Sequence, residues 1–132
     1  MNDFRDLIAF VQARLDEDEA VANAPADAAW ATTAWTFHSG DNPYVDLGTQ
    51  HLDNVSALNA AEMEHIARHD PARVLRRTAA ARELLSRYEA MEADVPVVTG
   101  VEAILSEYRR AILPQLAAEW ADHPDYQETW RA

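Results

Sequence analysis

The chain has 132 residues, sets 23 acids against 11 basic residues for a net charge of −12, and contains no cysteine. That length suits one domain around one core. Without cysteine there are no disulfides, no thiolate chemistry and no cysteine-built zinc or iron–sulfur sites.

The acidic balance argues against direct nucleic-acid binding and against docking on anionic membranes, both of which use clustered positive charge. Every basic residue is an arginine. A Schiff-base lysine is therefore absent, as is the lysine of a phosphate-binding P-loop. A GC-rich genome accounts for this arginine bias as readily as any physical need. The opening MNDFRDLIAF places an acid at Asp3 and lacks the basic region and apolar run of a signal peptide. No window approaches the roughly eighteen apolar residues of a membrane span. A cytoplasmic protein, with no membrane partner, is the expectation.

Phe4, Leu7, Ile8, Val11 and Leu15 recur at helical spacing and predict a first helix over about 3–23, capped by Asn2 or Asp3. Its end is acidic, through Asp16, Glu17, Asp18 and Glu19, which opposes the helix dipole. Residues 24–57 change character, with Pro25, Gly40, Pro43 and Gly48 as punctuation. Trp35–Phe37 and Tyr44–Leu47 flank a turn-forming Ser39-Gly40-Asp41-Asn42-Pro43 run and predict a short β-hairpin. Trp30, Trp35, Phe37 and Tyr44 are expected to pack it against helices, since an isolated hairpin is marginal.

Helical periodicity resumes over 58–69, with Met63, Ile66 and Ala67 on one face. Asp70-Pro71 then reads as an N-cap followed by the favoured first-turn proline, opening a helix over 71–93. Val74, Thr78, Ala81, Leu85 and Tyr88 form its inward stripe, flanked by Leu84 and Met91. Pro96 and Gly100 mark a break. A last long helix follows over 100–121, with Val101, Ile104, Leu105, Tyr108, Ile112 and Leu116 as its stripe. Pro114 should kink or split it. Residues 124–131 predict a short tail helix. The fold class is thus mostly α: a small bundle of about four helices, with a β-hairpin inserted between the first two, forming a single domain over 1–132.

The densest cluster of chemistry is His65 to Arg77. His65 and His69 lie four apart, so both imidazoles can face one metal ion, with Glu62 or Asp70 as carboxylate ligands and His123 as a third imidazole from the tail. Such a set could bind zinc, manganese or iron. The protease-type motif is absent, because Ile66 stands where its glutamate belongs. The structural reading is favoured: His69 ends a helix whose dipole welcomes a cationic ring, and His65 is a boundary histidine. Asp70 reads as an N-cap worth about 1 kcal/mol. Arg68, Arg73, Arg76, Arg77, Arg82 and Arg87 concentrate positive charge. They form either a docking patch for an acidic partner or internal pairs with the surplus acids, such as Arg87 with Glu83; internal pairing is the favoured reading. Overall acidity also permits mimicry of nucleic-acid charge. No catalytic constellation is complete, and Ser39 with His38 and Asp41 has no implied geometry.

The segment His65-Ile66-Ala67-Arg68-His69-Asp70-Pro71-Ala72-Arg73-Val74-Leu75-Arg76 resembles the signature of a family known as domain of unknown function 6221. Asp6-Leu7-Ile8-Ala9-Phe10-Val11 through Asp18 is similar to that family's first helix. Ala121-Asp122-His123-Pro124-Asp125-Tyr126 through Arg131 is similar to its closing box. The chain departs from the family around Ala28-Ala29-Trp30, where a Pro-Gly-Pro-Trp-like run is usual. The resemblance implies an accessory protein of actinobacteria or their phages, with the tail box and the His65 segment in one architecture, and it implies no activity.

These readings converge on a non-enzymatic interaction or adaptor protein, working with a protein partner or as a homodimer through an apolar helix face. Asp70, Arg73, Arg76, Arg77, Tyr126 and Trp130 are its expected structural or contact residues. A metal-dependent hydrolase built on His65, His69 and His123 and an acidic inhibitor of a DNA-binding protein are the alternatives. No cofactor is expected, apart from a divalent metal under the hydrolase reading.

Overall fold

The computed structural model describes residues 3–27, 32–53, 58–94 and 100–131. The expectations placed on Asn2, Trp30 and Pro96 fall outside these residues. The fold is mostly helical, with a small antiparallel sheet between the first two helices.

Helix α1 spans Asp3–Asn23 and leads into a 3-10 turn, Ala24–Asp27. Leu7, Val11 and Leu15 are buried, as the periodicity requires; the last turn of α1 contains no basic residue, and Asp16 pairs with Arg82 at 2.6 Å. Strands β1 (Thr36–His38), β2 (Tyr44–Asp46) and β3 (His51–Asp53) form an antiparallel sheet in chain order. The sequence predicts two strands; the structure adds a third. Gly48 adopts φ 88°, and its N–H donates to Asp46 Oδ1 at 2.8 Å, which reverses the chain directly after β2. His51-Leu52-Asp53 holds one apolar residue, too few for an alternation to register.

The register aligns Phe37 with Val45 and Val45 with Leu52 on one face of the sheet. Helix α2, Ala60–Arg68, lays Met63 and Ala67 against that face. Asn59 starts α2 with a reciprocal capping box: its side chain accepts from the Glu62 amide at 2.9 Å, and Glu62 Oε1 accepts from the Asn59 amide at 3.1 Å. On the opposite face of the sheet, the rings of His38, Tyr44 and His51 stack in series with centroids 4.6 and 4.4 Å apart.

Helix α3 spans Pro71–Asp94. Its predicted stripe is inward, with Thr78, Leu85 and Tyr88 buried. Helix α4, Val101–Glu107, continues through a π-helical turn, Tyr108–Ile112, into α5, Leu113–Ala117, and a 3-10 turn, Ala118–Trp120. Pro114 explains the π turn. It has no N–H to donate and its ring crowds the preceding carbonyls, and the wider turn absorbs both defects without breaking the helix. The Leu113 N–H bonds the Tyr108 carbonyl, five residues back.

The extra residue in the π turn rotates everything after it. The sequence assigns Ile112 and Leu116 to the buried stripe; both are half-buried, Leu116 against the core, while Leu113 and Ala117 take the fully buried places, each 0 % exposed. Ile104, also assigned to the stripe, is 49 % exposed. The predicted tail helix over 124–131 reduces to a 3-10 turn at Glu128–Trp130, because Pro124 and the short polar run beside it give too few residues to repay helix nucleation.

The chain resolves into two compact units: a terminal unit of Met1–Asp16 with Ala79–Ala132, and a central unit of Glu17–Thr78. The boundaries fall within α1 and α3. The terminal core joins Leu7, Phe10, Val11 and Leu15 to Leu85, Tyr88, Leu105, Leu113 and Trp130. The central core is smaller, with Val45 and Met63 fully enclosed and Ala67 buried beside Trp35, Phe37, Leu47, Leu52 and Leu58.

Candidate functional site

In the terminal unit, the π turn carries Arg109 into a polar cluster above the core. Arg109 Nε donates to Tyr88 Oη at 2.8 Å, and Nη2 reaches Glu92 Oε2 at 3.3 Å. Tyr88 Oη donates to the same Glu92 oxygen at 2.8 Å. The guanidinium lies 4.7 Å from the ring centre of Phe4, a cation–π contact. Tyr88 and Glu92 sit one helical turn apart on α3, which is why both reach one guanidinium.

The cluster shifts its own ionisation. Burial, chiefly, pushes the Tyr88 phenol above its ordinary value, and the Glu92 carboxylate adds to this while Arg109 opposes it. Glu92 is held below its ordinary value, first by the hydrogen bond from Tyr88 and then by Arg109. Arg109 is raised, first by its bond to Tyr88. At neutral pH the cluster is therefore a neutral phenol between a carboxylate and a guanidinium.

Beside it opens a cleft of about 520 Å³, lined by the apolar Phe4, Ile8 and Ala9 and by the polar Arg5, Gln12, Glu89, Glu92 and Arg109. Gln12 donates to Glu89 at 3.3 Å. Arg5 is exposed and forms no hydrogen bond or ion pair among the described residues; Glu92 senses it only at a distance. A second concavity, about 260 Å³, is lined by Arg87, Ala90, Met91, Asp94, Ile104 and Tyr108. Helix α3 thus offers 88, 89 and 92 to the cleft and 87, 91 and 94 to the groove.

The residues singled out from sequence take other places. His65 and His69 are exposed on α2, their rings stacked 4.2 Å apart, and His69 Nδ1 bonds the His65 carbonyl at 2.9 Å. Glu62 is engaged in the α2 cap. Asp70, 9 % exposed, uses both oxygens: Oδ1 accepts from the Arg73 amide at 2.8 Å and Oδ2 from the Trp35 amide at 3.0 Å. Arg73 also donates to the Arg68 carbonyl at 3.2 Å. Arg76 and Arg77 are exposed on α3. The expected Arg87–Glu83 pair forms at 3.1 Å.

His123, Tyr126 and Trp130 belong to the terminal unit, where all three rings meet Phe10 at centroid distances of 5.7, 5.9 and 5.2 Å. His123 Nδ1 accepts from the Asp125 amide at 3.1 Å, and the buried Arg14 guanidinium contacts the same ring. Trp130 Nε1 donates to Asp3 at 3.1 Å, which fastens the tail to the start of α1. Among the described residues, no group of three or more histidine, aspartate or glutamate side chains is placed to hold a metal ion.

A family model, described as a family of unknown function (DUF6221), matches residues 4–132. The chain belongs to this family. No curated protein and no solved structure matches it. The match covers both edges of the Arg109 cleft, which sequence reading overlooked. The usable signal was the Pro114 kink together with the Tyr88–Glu92 spacing, since the kink makes the preceding turn the place where a side chain is redirected.

Proposed function

We propose that this family member works by protein–protein contact in the cytoplasm, and that its first partner is a second copy of itself. The observation that carries this reading is the groove between α3 and α4. Ile104, 49 % exposed, lines the groove with Met91 and Tyr108, which are half-buried against the core, and with the charges of Arg87 and Asp94. An open large apolar side chain beside half-buried ones, with a polar rim, marks a contact surface. The charges favour self-association. If two α3 helices pack antiparallel about a two-fold axis near Ala90 and Met91, Arg87 of each copy meets Asp94 of the other, and the contact closes as an isologous dimer. The competing pair with Glu83 is exposed on both sides, 68 % and 63 %, so little is lost in exchanging it. In keeping with this reading, no helix among the described residues is long and apolar enough to cross a membrane.

Sedimentation velocity across a concentration series tests it. The wild type is expected to pass from monomer to dimer, and Ile104→Glu to stay monomeric. Arg87→Glu and Asp94→Arg each weaken the dimer, and the double swap restores it. A wild type that stays monomeric up to about 1 mM, where binding is worth only about 4 kcal/mol, overturns the proposal.

A further inference from the structure

The Arg109 cleft gathers charges of both signs beside apolar side chains. Two arginines and two glutamates line it, so its net formal charge is zero in a chain of −12. A balanced site in an acidic chain gives a dianion such as phosphate no advantage, because Glu89 and Glu92 repel it. A cation alone is repelled by Arg5 and Arg109. A molecule carrying one charge of each sign satisfies both pairs.

The donors and acceptors are present. Tyr88 and Glu92 take two of the five N–H groups of Arg109, leaving three, and the exposed Arg5 also lines the cleft. Guanidinium forks match a carboxylate bidentately. Both Tyr88 and Arg109 bond Glu92 through Oε2. Oε1 of Glu92 and, since Gln12 donates to Oε1 of Glu89, Oε2 of Glu89 are then left to accept from an ammonium. Phe4 and Ile8 add apolar lining to the cleft. The volume, about 520 Å³, lies within the ordinary range of ligand clefts, roughly 300–1,000 Å³.

The fold also holds this arrangement in place. Tyr88 is 1 % exposed and bonds both Glu92 and Arg109, so these two of the four charged groups need little ordering. A π turn positions Arg109, and such turns are rare and concentrate at functional sites.

We infer that the cleft between α1, α3 and the π turn binds a free α-amino acid with an apolar side chain. Arg5 and Arg109 receive the carboxylate, Glu89 and Glu92 the ammonium, and Phe4 with Ile8 the side chain. This inference is independent of self-association, because the dimer groove uses other residues of α3.

Titration of the full chain with L-phenylalanine, followed by amide chemical-shift mapping and calorimetry, tests it. Saturable shifts confined to residues 4–12, 88–92 and 109 are expected. Phenylacetate lacks the ammonium and phenethylamine lacks the carboxylate; each should bind at least about tenfold more weakly, a difference of about 1.4 kcal/mol. Arg5→Gln and Glu89→Gln alter exposed side chains and leave the bonds among Tyr88, Glu92 and Arg109 whole, and each should weaken binding about five- to tenfold through the loss of one charge-assisted contact. Shifts that fail to saturate by about 10 mM, beyond any useful affinity, overturn the inference. So does phenylacetate binding as well as the amino acid, or affinity unchanged in both variants.

Discussion

The terminal and central units stabilise themselves by different means. The terminal unit closes through large apolar and aromatic side chains from distant parts of the chain: Phe10 from α1, Tyr88 from α3, Leu113 after the π turn, and Trp130 from the tail. Among the described residues, the core cluster of the central unit centres on Val45, Met63 and Ala67, all within a short span of sequence, and the unit relies on a polar pin. Asp70 caps α3 with one oxygen and holds the Trp35 amide ahead of β1 with the other. One unit is held by area removed from water, and the other by a buried acceptor that must stay satisfied. The difference suggests where each can vary: volume matters most in the first, hydrogen-bond chemistry in the second.

The strongest way to break the contrast is Trp130→Ala. It removes a buried indole, its contact with Phe10 and its bond to Asp3, and should cost about 3–5 kcal/mol. Denaturant unfolding measures the loss, and hydrogen exchange should place the lost protection in residues 3–16 and 79–131. In the central unit, Met63→Ala should cost about 2–4 kcal/mol, since Met63 is 0 % exposed beneath the sheet. Asp70→Ala should cost about 2–3 kcal/mol, combining a lost N-cap of about 1 kcal/mol with an unsatisfied Trp35 amide. Asp70→Asn keeps an acceptor and should recover part of this. Recovery as large from Asp70→Leu would show that the pin is apolar packing after all.

Tyr88→Phe is gentler. It keeps the ring and removes the hydroxyl between Glu92 and Arg109, for about 1 kcal/mol in thermal unfolding. The smallest effect is the pH dependence of that cluster. Glu92 is held below its ordinary value, so its contribution is complete above the normal glutamate range and fades as pH falls through its lowered value. Tyr88 is raised, so its contribution is complete below the normal tyrosine range and fades as pH climbs through its raised value. Between these limits the cluster should add no slope to stability. In Tyr88→Phe the alkaline loss should vanish and the acid loss should shrink, because the main cause of the Glu92 shift is gone.

Much of the framework could be read directly. The spacing of Leu7, Val11 and Leu15 marked α1, Asp70-Pro71 marked the start of α3, and Thr78, Leu85 and Tyr88 marked its inward face, because helical period and capping are local properties of the chain. The third strand and the stripe after Pro114 could not be read in the same way. β3 forms because β2 lies beside it, and the stripe slips by one residue because a π turn absorbs the proline. The polar site moved most of all: His65 and His69 attracted attention by their spacing, whereas Arg109 had no signature until the helix carrying it was folded against Phe4 and Tyr88.

The sequence by itself determined the helical class, the capping at Asp70, the place of the proline defect and the family. Each rests on neighbours within a few turns. Only the tertiary structure decided that Arg109 joins Tyr88 and Glu92, that Trp130 fastens the tail to α1, and that Ile104 faces outward. Those outcomes depend on which distant surfaces meet, and a one-residue change of helical register redirects every side chain that follows.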